Sequence, residues 1–86
     1  MMEVTWKPIR DPDSPRAKLP DSAFAFPIER KEPLIDASHV HSAIARFGEV
    51  RGVTEDERAQ AFANIKAAAG YYGVNVRASN WHDLVG

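Results

Sequence analysis

The chain has 86 residues and a mass of 9.5 kDa, enough for one domain and too little for a multidomain enzyme, a dinucleotide-binding Rossmann fold or a barrel. Its 44% hydrophobic and 27% charged residues are an ordinary globular composition, and a formal charge of −1 gives no electrostatic footprint for a polyanion. Cysteine is absent, which excludes disulfide staples, thiolate metal ligands and a thiol nucleophile and favours an intracellular, cytoplasmic setting.

All six prolines fall within the first 33 residues, and the remaining 53 have none. Proline fixes φ and removes a backbone donor, so a long helix belongs only to the second part. Residues 1–18 mix proline with Asp, Lys and Arg and read as a flexible Pro-rich tail ahead of a single small domain at 19–86. The start Met1-Met2-Glu3-Val4-Thr5-Trp6-Lys7 lacks the basic and apolar runs of a signal peptide, and no apolar stretch approaches the ~18 residues of a membrane span.

Ala23-Phe24-Ala25-Phe26 alternates small and large side chains, which predicts a short strand with both phenylalanines on one face, bracketed by Pro20 and Pro27. Asp36 is a good N-cap, and Val40, Ala43, Ile44 and Phe47 follow at helical spacing, so the first helix is expected at about 37–47 with Gly48 as its C′ glycine. Thr54-Glu55-Asp56-Glu57 is a capping box, and it opens a second helix at about 55–72. Ala59, Phe62, Ile65, Ala69 and Tyr72 form its apolar stripe, and Gly73 ends it. Residues 74–77 alternate and suggest a second short strand, paired with the one near 23–26; Ser79 is expected to cap a closing helical turn.

The expected fold is therefore mainly α with a small α+β option: a two-helix hairpin covered by an ordered, Phe-containing lead. Two helices of three to five turns share a small interface, and chains below about 70–80 residues have thin stability margins without staples. The hairpin needs a third layer, which Phe24, Phe26, Leu34 and Ile35 can supply, or else a second subunit.

Catalytic chemistry finds no pattern. His39 and His41 point about 200° apart on a helix and cannot share one ion, Ser38 beside His39 is adjacency without a triad, and the phosphate-binding glycine signature is missing. No catalytic, metal or cofactor site is assigned, and the chain reads as a non-enzymatic protein-interaction module with Trp6, Ile9, Tyr71 and Trp81 as candidate partner anchors. Its partner is an unidentified protein, a further copy of the chain being one option, and neither a membrane nor a nucleic acid is expected. The alternative is a small nucleic-acid-associated regulator with helix-turn-helix-like geometry, although Glu55, Asp56 and Glu57 at the start of the second helix would repel phosphate.

Leu19-Pro20-Asp21-Ser22-Ala23-Phe24-Ala25-Phe26-Pro27, Arg30-Lys31-Glu32-Pro33-Leu34, Asp36-Ala37-Ser38-His39-Val40 and Ala43-Ile44-Ala45-Arg46-Phe47, with Gly52-Val53 through Arg58 and Tyr72-Gly73-Val74, resemble a family of small bacterial and bacteriophage proteins of unknown function. The resemblance spans about residues 19–76 and departs from the family at Gly70, where a polar residue is usual. It implies one folding unit over that span and a phage or prophage setting. It carries over no activity and no site residue.

Overall fold

A computed structural model describes residues 3–11 and 13–85. Residues 1, 2 and 12 of the expected tail lie outside the described residues, as does Gly86. Two short 3-10 turns, Arg16–Lys18 and Asp21–Ala23, lead into a hairpin of β1 (Phe24–Phe26) and β2 (Lys31–Pro33). Helix α1 (Ala37–Arg46) runs into a 3-10 turn at Phe47–Glu49, then helix α2 (Glu55–Tyr72) follows, and a 3-10 turn at Trp81–Leu84 closes the chain. This is the mainly α, small α+β architecture expected from the sequence.

The strand at 24–26 forms, but its partner is 31–33 and not 74–77. The register pairs Phe24 with Pro33 and Phe26 with Lys31, antiparallel, and the Leu34 N–H donates to the Ala23 carbonyl at 2.8 Å to extend the ladder. The tight connection over 27–30 makes this local pairing entropically cheaper than one across some fifty residues. It requires left-handed backbone at two residues that are not glycine, Arg30 (φ 54) and Glu32 (φ 56), each strained by roughly 1–2 kcal/mol.

Helix α1 starts where the sequence places it. The Asp36 carboxylate accepts from the His39 backbone N–H at 2.7 Å, and Val40, Ala43 and Phe47 are buried with Ile44 beside them. Gly48 does not end the helix as a left-handed C′ residue, because the chain tightens into the 3-10 turn instead. Its missing side chain serves a close approach: a Cβ there would lie 3.3 Å from the Val85 Cα and 3.4 Å from the Leu84 carbonyl oxygen. Helix α2 opens on the expected capping box, with the Glu57 N–H donating to Thr54 Oγ1 at 3.1 Å and the Thr54 N–H to Glu57 Oε1 at 2.9 Å. It ends at Gly73 (φ 73), whose φ suits glycine.

The buried face of α2 is wider than the predicted stripe. Ala61, Asn64 and Ala68 are buried along with Phe62, Ile65 and Ala69, whereas Ala59 and Tyr72 are only half-buried. Helix α2 packs on α1 along one side and on β1 along the other, and the alanines leave room for the strand backbone to come close.

Both phenylalanines are interior, Phe24 fully and Phe26 with 1% of its surface exposed. They serve two separate clusters. Phe26 packs in the main core with Leu34, Val40, Phe47 and Ile65, its ring 5.7 Å from that of Phe47. Phe24 closes a smaller cluster with Leu19 and Ala23, flanked by Ile9 and Ile35. Burying such rings is worth ~1.5–3 kcal/mol each, so the lead adds the missing layer to the helix pair.

The closing turn is capped by Asn80, not Ser79. The Asn80 side chain accepts from the His82 N–H at 2.9 Å, and the Ser79 N–H donates to Asp83 Oδ2 at 2.8 Å. Asn80 has the extended backbone an N-cap needs, one residue nearer the turn.

Candidate interaction surface

Asn64 is the one buried polar residue of the described core, with no surface exposed. Its Oδ1 accepts the backbone N–H groups of Thr5 at 2.9 Å and Trp6 at 3.0 Å. Its Nδ2 donates to Thr5 Oγ1 at 2.9 Å and to the Ala25 carbonyl at 3.0 Å. One amide thus ties α2 to both the N-terminal segment and β1, and both of its polar atoms are satisfied. The Lys7 N–H continues the seam to the Ser22 carbonyl at 3.0 Å.

The clasp places Trp6. Its ring is buried, and Nε1–H donates to the Leu34 carbonyl at 3.0 Å. Tyr71 and Tyr72, at the last turn of α2, stand edge-on to it with ring centroids 5.7 and 5.9 Å away, and 4.9 Å from each other. Tyr72 is half-buried, and burial pushes its hydroxyl above the usual tyrosine range. Tyr71 keeps 63% of its surface in water. The outcome is an exposed aromatic ring braced by two that cannot easily move.

The four anchors proposed from sequence therefore separate. Trp6 and Tyr71 come together. Ile9 packs half-buried beside the Phe24 cluster, away from them in the core's organisation. Trp81 is half-buried at the closing turn, stacked on His82 with centroids 3.7 Å apart and 5.8 Å from the Arg58 guanidinium.

Sequence reasoning missed Asn64 and Arg30. Asn64 sits three residues after Ala61 and four before Ala68, so a polar residue on a small-residue helical row was the available signal. Arg30 fastens the lead to the hairpin: its guanidinium donates to Asp21 Oδ1 at 2.6 Å and to the Leu19 carbonyl at 2.9 Å, and lies 4.7 Å from the Phe24 ring centroid. No local pattern marks that role.

Titratable groups cluster weakly. Asp36 is held below the usual carboxylate range because its oxygens accept from the His39 backbone and then from the His39 ring, 2.8 Å away. Glu29 is pushed up by a hydrogen bond it shares with Glu57, whose own carboxyl is correspondingly lowered. Among the described residues no three His, Asp or Glu side chains gather in a metal-binding group, and no helix is long and apolar enough to cross a membrane.

Two helices on a two-stranded hairpin, with a buried asparagine clasp and an outward aromatic ring, define a small mainly α domain. The chain belongs to the Family of unknown function (DUF6582), whose sequence model matches residues 7–79. The match takes in the hairpin, both helices and the segment after α2. No curated protein and no solved structure matches it.

Proposed function

We propose that this domain is a non-enzymatic protein-interaction module that docks a folded protein partner on the ring of Tyr71. The observation carrying this reading is that ring's combination of exposure and bracing: 63% exposed, yet set edge-on against Trp6 and Tyr72. A braced aromatic has little freedom left to lose on binding, and tyrosine offers both an apolar face and a hydroxyl. The fitting partner presents an apolar patch with a hydrogen-bond acceptor at its edge. A cytoplasmic setting belongs to the same reading, since a chain of this size without cysteine suits a reducing compartment.

A photoreactive phenylalanine analogue in place of Tyr71 tests the proposal in the source cell. The expected result is a discrete protein adduct that survives nuclease and is lost when the analogue stands at the exposed position Lys66. An adduct that disappears with nuclease would favour the regulator reading, and no adduct at all would overturn the docking surface.

A further inference from the structure

Gly73 turns the chain out of α2 into residues 74–78, whose side chains alternate as a strand's do but which pair with no strand among the described residues. Val74, Val76 and Ala78 pack against the core while Asn75 and Arg77 are exposed, a period of two. Valine at 74 and 76 suits extended backbone. Among the described residues, the Val74 N–H is taken by the Ala69 carbonyl at 2.8 Å, but no hydrogen bond uses the backbone N–H of Asn75, Val76, Arg77 or Ala78. The segment borders a cleft of about 500 Å³ whose walls include His41, Ile44, Asp83 and Leu84. An open strand edge of this kind is a template for another chain.

We infer that residues 74–78 are a strand-addition edge and that their partner is the same segment of a second copy, run antiparallel about Val76. Charge argues for the second copy. A two-fold interface must be complementary to itself, each residue i meeting j while j meets i. The cleft carries one cation, Arg77, and one anion, Asp83, and neither forms an ion pair within its own chain among the described residues. Pairing centred on Val76 sets Asn75 opposite Arg77, so no like charges oppose, and it leaves each Arg77 free to reach toward the Asp83 of the other copy. The half-buried Ile44 and Leu84 supply apolar surface for the joint to cover. Tyr71 does not line this cleft, so either assignment can fail alone.

Sedimentation equilibrium of the full chain from about 10 μM to about 1 mM reads the association directly. The expected result is a monomer–dimer equilibrium that Arg77→Glu or Asp83→Arg alone weakens at least tenfold, and that the double exchange restores to within about threefold. Tyr71→Ala leaves it unchanged. Backbone amide exchange at Asn75–Ala78 slows as the concentration rises, whereas that of the core helices does not. A chain that stays monomeric throughout overturns the inference and leaves the edge to a foreign extended segment. A dimer indifferent to both charge reversals, or without protection at 75–78, overturns it equally.

Discussion

Replacing Asn64 with alanine takes away the amide that α2 offers to two other segments. The Thr5 N–H is near water and can re-solvate, but the Trp6 N–H and the Ala25 carbonyl are buried at their bonds to Asn64. Each buried group left without a partner costs about 1–3 kcal/mol, so the pair costs about 2–6 kcal/mol. Alanine returns at most about 0.7 kcal/mol of helix propensity. A chain of this length has a total stability of about 4–13 kcal/mol at typical values per residue, so the variant loses a large share of it. With a urea slope of about 1–2 kcal/mol per molar, the unfolding midpoint falls by about 0.6 M or more. Asn64→Asp separates the two halves of the clasp. It keeps an acceptor for the two amides but sets a carboxylate against the Ala25 carbonyl, so it is no milder than alanine. Fluorescence in a Trp81→Phe background reports whether the Trp6 ring leaves its buried site, with an expected red shift in Asn64→Ala before global unfolding. A midpoint within about 0.3 M of the parent, with unchanged Trp6 emission, would refute the clasp.

Glycine positions give a paired test by thermal melting. Gly70 is an exposed residue inside α2 where a methyl group would meet nothing within 4 Å, so Gly70→Ala raises stability by roughly 0.5–1 kcal/mol. Gly48→Ala gains less than Gly70→Ala, because the Val85 backbone 3.3 Å from the new methyl must shift, and exchange of the closing-turn amides quickens. The carboxylates set the pH response measured by denaturant midpoint. Asp36 is lowered in the folded state, so its contribution is present above its unfolded value and is lost as pH falls through the folded one; Asp36→Asn flattens that acid limb. Glu29 is raised through its hydrogen bond to Glu57, so its contribution is present below the unfolded value and is lost as pH climbs through the folded one; Glu29→Gln removes that decline. A profile unaltered by both substitutions contradicts the assignments. Glu32→Gly, which relieves left-handed backbone at φ 56, raises the melting temperature.

The helices were legible because their signals are local. Asp36 and the Thr54–Glu57 box fix the starts through hydrogen bonds closed within one turn, and Gly73 ends α2 through its own φ. The Phe24 strand was legible from alternation, but its partner was not. The segment at 74–77 alternates better than Lys31–Pro33, yet the hairpin is reached over a few residues and tolerates two strained backbones to form. Gly48 misled for a similar reason, since its role lies in a contact with Val85 from the far end of the chain. Of the candidate surface, the aromatic residues could be named in advance but not their grouping. Trp6 meets Tyr71 only because Asn64, some sixty residues on, holds its backbone, and no periodicity encodes that bond.

The account rests on the lead as a structural layer: Phe24, Phe26 and Leu34, together with the Trp6 clasp, complete an interior the helix pair lacks. Calorimetry of a chain beginning at Asp36, beside the full-length protein, addresses that claim most directly. The account predicts no cooperative transition for the shortened chain, since it loses three of the largest fully buried side chains. A cooperative melt at the full-length temperature, from a monomer, would contradict it.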